Sequence, residues 1–392
     1  MAVIDLREYG AGFLADPYPY YAKLREAGPV HEVVSPHGDR VWLIVGYAEA
    51  RAALADPRLS KSPGVLGLKM LDEDVIGPHL LVVDPPDHTR LRGLVAREFT
   101  ARRVEALRPR VQQISDELID AVLPAGRADL VASLAFPLPI IVICELLGVP
   151  GADRDRFRAW STEVVAPSSP EAERTAVHEL AAYLDELIED KRCTRPADDL
   201  LSALLRTRAQ DGDRLSAAEL RAMAYLLLVA GHETTVNLIS NGVRALLAHP
   251  AQLDALRSDF GLLGGAIEEM LRYDGPVENA TMRFTREEVR YGDTAVPAGE
   301  AVLVGLAGGD RDPARFPEPD RFDIRREARG HLAFGHGVHH CLGAPLARLE
   351  GATAVRTLLE RCPGLALDPD GGPPDWLPGL LMRGARRLPV VW

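Results

Sequence analysis

A run of about thirty residues with apolar side chains at helical spacing constrains the fold of this chain more than any other segment. It starts at a capping box, in which Ser216 and Glu219 can exchange hydrogen bonds with each other's backbone. It stops before Pro250, which cannot continue a helix. The sequence therefore predicts one long helix over residues 216–248.

Most of the remaining chain also shows helical periodicity. Apolar residues recur at three-to-four spacing in four further segments, namely 101–123, 172–191, 262–273 and 344–361. Strand-like segments are fewer and shorter, and they fit a small sheet beside a helical body: 42–45, 288–291, 301–304 and 387–391. The sequence predicts a fold that is mainly α with minor β.

Length and composition fit a single large core. The chain has 392 residues, of which 47% are apolar and 26% charged, as in ordinary globular proteins. Proline and glycine are dense around residues 57–86 and 308–345, and long loops of this kind often carry function. Because no repeat, linker or composition shift marks a boundary, we expect residues 1–392 to form one domain.

The net charge of −12 argues against nucleic acid as a partner, since phosphate binding would work against the protein's own field. The first residues lack the apolar core of a signal peptide, and the longest apolar runs, 136–142 and 224–231, are too short to span a bilayer. The four cysteines are scattered without a CxxC pair, as in a reducing compartment. We expect a cytoplasmic protein without a membrane attachment.

One cysteine stands in an unusual setting. The loop FGHGVHHCLG, from Phe334 to Gly343, leads directly into a helical run. A sulfur just before a helix receives unsatisfied backbone N–H groups and the positive end of the helix dipole, which lower the pKa of a thiol. Gly337 and Gly343 let the backbone approach a flat ligand, and Phe334 can shield one face of it. This pattern favours Cys341 as a thiolate metal ligand.

Two other interpretations of Cys341 are open at this point. A small residue in a turn is often simply buried, and the neighbouring His336, His339 and His340 raise the alternative of a zinc site. Histidine spacings of three and one do not form a familiar zinc pattern, and no second Cys or His pair lies nearby in the sequence. Neither interpretation explains the whole glycine-rich segment.

The middle of the long helix carries residues that weaken a helix. The segment AGHETT, from Ala230 to Thr235, places a glycine, an acid and two threonines in an otherwise apolar run, and a buried carboxyl is costly without partners. A threonine hydroxyl can bond back to the carbonyl one turn earlier and open a groove for O2 and water. We interpret Glu233 and Thr234 as a proton-delivery site. The plain alternative is a surface acid beside packed threonines.

Two weaker signals lie elsewhere. Glu269 and Arg272, three apart on one helix face, would in isolation be an ordinary solvated pair. A set of basic side chains could bind carboxylate groups, such as the propionates of a haem if one is present. In the plain interpretation they are unrelated surface residues. They are His88, Arg92, Arg283 and His339.

Together these segments resemble the cytochrome P450 superfamily, over nearly the whole chain and in the expected order. FGHGVHHCLG is similar to the family's haem-binding loop, and AGHETT is similar to its oxygen-activation segment. Glu269 and Arg272 match the family's Glu-x-x-Arg pair. The resemblance implies that this pair is buried in a network with a downstream arginine, here Arg321 in PEPDRFD.

The resemblance implies a haem-thiolate monooxygenase that uses haem b, O2 and external electrons. Cys341 would be the proximal metal ligand, and Glu233 and Thr234 would be catalytic, supplying protons during oxygen activation. The cofactor-binding residues implied in this way are His88, Arg92, Ala230, Arg283, Phe334, Gly335, His339, Cys341 and Gly343.

Three segments are most similar to the actinomycete branch of the family that hydroxylates or epoxidises macrolides and other polyketides. They are DPPDHTRLRGLVAREFT, LLVAGHETTVNLI and GHLAFGHGVHHCLGAPLARLE. The analogy implies a bulky apolar substrate in antibiotic biosynthesis; hydroxylation of a terpenoid, steroid or peptide, and a non-catalytic haem protein, are the alternatives. The acidic triplet at residues 72–74 is either a solvated run or an attractor for a cationic substrate group. Analogy places substrate contacts in the loop at residues 60–84, in the segments 164–173, 278–282 and 380–382, and at Ala230 of the long helix. The individual contacts expected are Val164, Leu227, Met282 and Leu380.

Electrons must come from a partner, because no GxGxxG fingerprint follows a predicted strand. The resemblance implies an NAD(P)H-dependent ferredoxin system, with ferredoxin and ferredoxin reductase. Residues 90–110 carry seven Arg against two Glu, and Arg348 and Arg356 lie on the helix after Cys341. These arginines form either a basic patch for an acidic ferredoxin or a solvated surface. We expect the enzyme itself to be a monomer.

Overall fold

The structure, a computed structural model, describes residues 3–36, 38–67, 73–165, 167–193, 198–207 and 212–392. Within these residues the α-helices are α1 (Gly10–Ala15), α2 (Tyr18–Ala27), α3 (Tyr47–Ala55), α4 (Glu73–Ile76), α5 (Asp87–Ala96), α6 (Ala101–Ala106), α7 (Arg108–Val122), α8 (Pro137–Leu147), α9 (Arg154–Val165), α10 (Pro170–Cys193), α11 (Leu200–Arg206), α12 (Ala217–Ala248), α13 (Pro250–Ser258), α14 (Leu263–Asp274), α15 (Leu306–Asp310) and α16 (Ala344–Arg361). The strands are β1 (Ile4–Asp5), β2 (Val30–Val34), β3 (Arg40–Ile44), β4 (Leu59–Ser60), β5 (Arg127–Asp129), β6 (Arg283–Thr285), β7 (Val289–Tyr291), β8 (Thr294–Val296), β9 (Ala301–Val304), β10 (Ala366–Leu367) and β11 (Pro389–Val391).

The long helix predicted from the capping box is α12, which runs for 32 residues. The Ser216 hydroxyl accepts a hydrogen bond from the Glu219 N–H over 3.2 Å, and the Glu219 carboxylate accepts one from the Ser216 N–H over 2.8 Å. The helix packs against α8, α9, α10, α14 and α16. Although α12 is long and apolar enough to cross a membrane, 61% of its most apolar window is buried inside the protein, as in the core helix of a soluble protein.

Two hydrophobic clusters meet along α12. Its first half, including Leu220 and Leu228, packs in one cluster with α8 and α10. Its second half, including Val236 and Val243, packs in another cluster with α7, α14 and α16. The segment that the sequence marks as functional, residues 230–235, lies between the two.

The predicted helices at 172–191, 262–273 and 344–361 correspond to α10, α14 and α16. The prediction of one helix over residues 101–123 is wrong, because the chain forms α6 and α7 with a break at Leu107. Pro109 explains the break: it lacks a backbone N–H, and its ring would clash with the carbonyl of Glu105, four residues earlier. Proline is tolerated here because it falls in the first turn of α7.

The predicted early and late strands pair with each other. The largest sheet has the order β1-β2-β3-β9-β6-β4, and β3 runs parallel to β9 with Trp42 opposite Val302. Smaller sheets join β10, β11 and β5, and β7 with β8. The prediction of a mainly α fold with minor β is confirmed. The large sheet also positions Arg283, the first residue of β6, next to the Cys341 side of the molecule through contacts described below.

Candidate active site

The centre of α12 has an accessible stripe although the helix is mostly buried. Ala230 is exposed, and Glu233 and Thr234 are half-buried, one turn further on the same face. The Thr234 hydroxyl donates a hydrogen bond to the Ala230 carbonyl over 3.1 Å, as the sequence predicts. The helix continues through this bond as a regular α-helix, so the expected opening of the helix is wrong. The exposure of Ala230 nevertheless leaves the acid and the hydroxyl beside an accessible space.

Glu233 has an unusual acidity for a carboxyl group. Burial raises the pKa of Glu233 from its ordinary value of 4.5 to about 7, because the ionised form loses solvation there. A carboxyl with this pKa exists in both protonation states near neutral pH. It is therefore able to release and recover a proton under physiological conditions.

The loop that carries Cys341 is closed by backbone hydrogen bonds. The Cys341 N–H donates to the Phe334 carbonyl over 2.9 Å, the His340 N–H donates to the Gly337 carbonyl over 3.1 Å, and the Gly335 N–H donates to Leu332 over 2.7 Å. The side chain of Cys341 is open on one side, although enough protein surrounds the sulfur for burial to dominate its acidity. This is the environment of a residue that lines an internal space.

The predicted lowering of the Cys341 pKa is wrong for the protein alone. Burial raises the pKa of the thiol above its ordinary value and outweighs the opposing influences. Those influences are present as expected: the backbone N–H groups of Gly343 and Ala344 and the charges of Arg92 and Arg348 all favour the thiolate. A bound metal ion would supply the missing stabilisation, because a coordinating thiol is deprotonated by the charge of the metal.

The glycines of this loop serve different purposes. At Gly337, whose φ is +75°, an added Cβ would lie 2.9 Å from the Leu54 carbonyl oxygen and 3.0 Å from the Ala55 Cα. Glycine is therefore required there by packing against α3, which corrects the expectation that Gly337 makes room for a flat ligand. A Cβ at Gly343 would lie 3.9 Å from the Cys341 sulfur, so this glycine does keep the space beside the sulfur open.

A charged network that the sequence analysis missed supports Phe334. The Arg348 guanidinium lies over the Phe334 ring, 4.5 Å from its centroid, and forms two hydrogen bonds to Glu268 over 2.6 and 2.9 Å. The Nε2 atom of His331 lies 3.1 Å from the same carboxylate. These contacts fix the ring that precedes the cysteine loop. No sequence motif joins Glu268 to residues so distant in the chain.

The histidines near Cys341 do not form a zinc site with it. Among the residues that the structure describes, no group of three or more His, Cys, Asp or Glu side chains could hold a metal ion. A metal on Cys341 therefore needs most of its ligands from a non-protein group. A haem would meet this requirement, since its macrocycle supplies nitrogen ligands and Cys341 would hold its iron.

Three of the four predicted basic residues come together in space. The rings of His88 and His339 lie 4.2 Å apart between centroids, tilted by 52°, and Arg283 is close enough to both His339 and Lys61 to influence their pKa values. Within the part of the chain that the structure describes, both ring nitrogens of His88 and the Nε atom of Arg283 are buried without a hydrogen-bond partner. Buried polar atoms without a partner are costly, and at least the Arg283 Nε–H and one His88 N–H are donors that a ligand acceptor would satisfy.

Burial dominates the acidities in this cluster. Burial, followed by the charge of His88, lowers the pKa of His339 to about 3, and burial lowers the pKa of Arg283 to about 10. The side chain of Lys61, which the sequence analysis missed, is also buried, and burial, followed by the charge of Arg283, lowers its pKa well below the ordinary value. Two carboxylates would stabilise the charged forms of Arg283 and Lys61 and accept from the open donors. The residues therefore fit the propionates of a haem.

Arg92 lies on the cysteine side of this cluster. Its guanidinium donates to the His340 carbonyl over 2.7 Å and is near enough to Cys341 for the two groups to influence each other's pKa. His88, one turn earlier on α5, faces His339. The spacing of four residues on α5 thus joins the cysteine loop to the basic cluster.

Glu269 and Arg272 form the buried pair that the family resemblance implies. Both side chains are inaccessible, and Arg272 donates two hydrogen bonds of 2.7 and 2.8 Å to the Glu269 carboxylate. The prediction that Arg321 is the third member of this network is wrong, because its side chain is exposed and pairs with Glu318. Arg326 occupies that role instead, because its Nε lies 3.3 Å from Glu269. Arg321 and Arg326 lie in the same loop, and nothing in the sequence indicates that Arg326 rather than Arg321 contacts Glu269.

The segments predicted to contact substrate are joined by hydrogen bonds. The Lys61 ammonium donates to the Thr281 and Met282 carbonyls over 2.8 and 3.0 Å. The Glu278 N–H donates to the Leu381 carbonyl over 2.8 Å. The role suggested for the acidic triplet at residues 72–74 stays a prediction, because residue 72 and the side chains of residues 73 and 74 lie outside what the structure describes.

The individual predicted contacts differ in exposure. Met282 is 37% exposed, whereas Val164 and Leu227 are half-buried against the cluster around α8 and α10. The prediction that Leu380 contacts substrate is wrong, because its side chain is buried in the hydrophobic cluster formed by the N-terminal segment. The neighbouring Leu381, 45% exposed, is the open side chain of that segment. A one-residue difference in a loop without periodicity is not encoded in the sequence pattern.

Comparisons with known proteins place this geometry in a family. A family model for cytochrome P450 matches residues 165–387. The cytochrome P450 monooxygenase PikC of Streptomyces venezuelae is 58% identical, with 100% of this chain and 94% of that protein covered. The 6-deoxyerythronolide B hydroxylase of Saccharopolyspora erythraea is 47% identical, with 96% of each covered. The tirandamycin C-bound structure of the P450 monooxygenase TamI superimposes with a TM-score of 0.89 at 44% identity, covering 99% of both chains.

Proposed function

The chain belongs to the cytochrome P450 family and is a monooxygenase, and we propose that it hydroxylates or epoxidises a bulky, mostly apolar polyketide, such as a macrolide, in secondary metabolism. The proposal on the substrate is supported by relatives whose names specify 6-deoxyerythronolide B and mycinamicin IV as substrates.

The observation that carries an apolar substrate is the grouping of exposed apolar side chains. Among the described residues, large exposed hydrophobic side chains are few, and half of them lie in the three segments expected to contact substrate: Val65, Met282 and Leu381. Hydrogen bonds from Lys61 and Glu278 hold these segments against each other. Exposed apolar side chains on segments that are held together in this way support a binding site for an apolar ligand.

We propose a division of roles among the site residues. Bound haem supplies the iron chemistry that activates O2. Cys341 holds the iron, and His88, Arg283 and His339 hold the propionates. Glu233 holds a proton and passes it towards the oxygen site, and the hydroxyl of Thr234 orients water or oxygen beside it. The apolar segments orient the substrate and exclude bulk water.

We propose that the required electrons come from an NAD(P)H-dependent ferredoxin system that docks on the side of α5, α6 and α16. Most arginines of the expected basic patch are paired with acids: Arg90 with Glu219, Arg103 with Glu98, Arg108 with Glu105 and Arg110 with Glu145. The patch is therefore weaker than the sequence suggests. Arg102 is exposed and has no carboxylate partner among the described residues. Its charge is therefore available to an acidic ferredoxin, and we propose it as a contact residue.

We further propose that residues 1–392 act as one domain and that the enzyme is a cytoplasmic monomer. The absence of a dinucleotide fingerprint agrees with separate redox proteins. The buried position of α12 agrees with a protein that is not inserted in a membrane.

A substrate panel tests the proposed function. Macrolides and linear polyketides are titrated into the purified ferric enzyme beside a steroid, a terpenoid and a cyclic peptide of similar size, and binders are then incubated with NADPH, ferredoxin and ferredoxin reductase. We expect the spectral shift that follows displacement of iron-bound water, and oxygenated product, to be strongest with a polyketide. Turnover of only a steroid, terpenoid or peptide would overturn the proposed substrate class.

A further inference from the structure

The residue next to the acid, His232, is completely buried and has two hydrogen-bond partners. Its Nδ1 lies 2.7 Å from the Leu228 carbonyl oxygen, one turn earlier on α12. Its Nε2 lies 2.9 Å from the hydroxyl of Ser161 on α9, which is also buried. The ring therefore joins α9 to α12 at the position of the oxygen-activation segment.

The protonation of this ring follows from its partners. A carbonyl oxygen can only accept, so Nδ1 must carry the hydrogen that bonds to Leu228. Burial lowers the pKa of His232 to about 4, so the ring is neutral and Nε2 carries no hydrogen. The hydroxyl of Ser161 must then be the donor. Ser161 thus occupies the lone pair of Nε2.

The same nitrogen is close to the acid. The Nε2 atom of His232 lies 3.8 Å from an Oε of Glu233. A movement of about 1 Å would bring the two atoms to hydrogen-bond distance. A protonated Glu233 would then donate its hydrogen to the ring. A neutral, buried ring nitrogen without a partner would draw the acid in this direction, because leaving it unsatisfied is costly.

The ring itself has little freedom to avoid this contact. Phe136 packs edge-to-face against His232 with ring centroids 5.7 Å apart. On the adjacent part of α12, a Cβ at Gly231 would lie 3.3 Å from Ile143 of α8. The ring is therefore held by packing as well as by hydrogen bonds.

We propose that Ser161 and His232 are positioning residues, and that the Ser161 hydroxyl keeps Nε2 of His232 occupied so that Glu233 stays free to serve the oxygen site. This inference rests on the proposed role of Glu233. It assigns to α9 a part in proton delivery besides its predicted part in substrate binding through Val164.

The test measures product formed per NADPH consumed, with holoenzyme reconstituted with its redox partners. The substrate is whichever panel compound the wild-type enzyme oxidises. If that compound is not a polyketide, the proposed substrate class fails while the comparison of variants below is unaffected. The spectrum of the reduced enzyme under carbon monoxide checks that each variant retains haem ligated by thiolate.

We expect Ser161→Ala to lower coupling at least about threefold and to raise peroxide release, with KM for the substrate unchanged. Ser161→Thr keeps a hydroxyl at this position and should stay near wild type. Thr162→Ala is the matched control, because Thr162 is exposed and its hydroxyl bonds only within α9, to the Arg158 carbonyl. Equal coupling in Ser161→Ala and Thr162→Ala would overturn the proposal.

A double-mutant cycle tests whether the effect passes through the ring. In a His232→Leu background no nitrogen remains to capture Glu233, so adding Ser161→Ala should change coupling less than about 1.5-fold. A full additional loss in the double variant would show that Ser161 acts elsewhere. If His232→Leu does not fold, the Ser161→Ala, Ser161→Thr and Thr162→Ala comparison still decides.

Discussion

The hydroxyl of Thr234 donates a hydrogen bond to the carbonyl oxygen of Ala230, one turn back along α12 and on the stripe where this buried helix is open. Since this bond uses the only hydrogen of the hydroxyl without interrupting the helix, both lone pairs of the Thr234 oxygen stay free to accept from a water molecule beside Glu233.

Replacing this hydroxyl tests its part in catalysis. In Thr234→Ala we expect NADPH consumption to continue while product per NADPH falls roughly tenfold and peroxide accounts for the difference. The loss is smaller than the ~100-fold effect of removing a general acid, because Glu233 remains. Thr234→Ser, which keeps the hydroxyl, is the control. Normal coupling in Thr234→Ala would mean that protons travel by another route.

The acidity of Glu233 predicts a pH dependence. Because burial raises the pKa of its carboxyl to about 7, the folded enzyme holds this proton below pH 7 and loses it above. Coupled turnover at saturating substrate should therefore fall as pH rises through about 7, and Glu233→Gln should lack this limb at a lower overall rate.

The free energy of unfolding should also fall as pH rises. Between pH 4.5 and 7 the folded state binds a proton that the unfolded state has released, so the contribution of Glu233 to stability declines as pH rises through this window. Urea unfolding of wild type and Glu233→Gln at several pH values measures the difference. A difference that does not grow between pH 5 and 8 would contradict this acidity.

The network around Glu269 gives a stability prediction that separates two arginines. Arg326→Ala removes a half-buried donor from an inaccessible carboxylate and should destabilise the protein by about 1–3 kcal/mol. Arg321→Ala removes only an exposed side chain and should change stability by less than about 0.5 kcal/mol. Chemical denaturation followed by circular dichroism provides both values. The reverse order of effects would restore Arg321 to the role that the sequence suggested.

How far the sequence predicts this molecule depends on the distance over which a signal acts. The capping box at Ser216 and Glu219 and the periodicity of α12 are local, and the helix follows them closely. The break at Leu107 was missed although Pro109 is a local signal, because the apolar periodicity continues on both sides. Of the strands, the sequence predicts β3, β7, β9 and β11, whereas the other short strands and the pairing of all of them are visible only in the structure.

The site shows the same division. Cys341, Glu233 and Thr234 lie in motifs that a single sequence displays. Lys61 and the Arg348–Glu268 pair depend on contacts between distant segments, and no residue spacing announces them. His232 belongs to the AGHETT segment itself, but its partner Ser161 is 71 positions away and lies on another helix.

The proposed ferredoxin surface predicts a salt-dependent effect. Arg102→Glu should slow reduction by ferredoxin about three- to tenfold at low ionic strength, and the difference should shrink as salt screens the charges. Arg174→Glu is the control, because that residue is similarly exposed but lies on α10, outside the proposed docking helices α5, α6 and α16. Stopped-flow reduction gives the rates. Equal rates for the two variants at all salt concentrations would contradict docking at Arg102.

Ligation of haem iron by Cys341 is the central claim, and the spectrum of the reduced protein under carbon monoxide tests it most directly. A thiolate ligand shifts the Soret band strongly to the red, because it donates electron density to the iron. We expect this band in the wild-type protein and its loss in Cys341→His, with Cys362→Ala, which removes a buried cysteine elsewhere, as the control. A histidine-type spectrum from the wild-type protein would contradict the assignment.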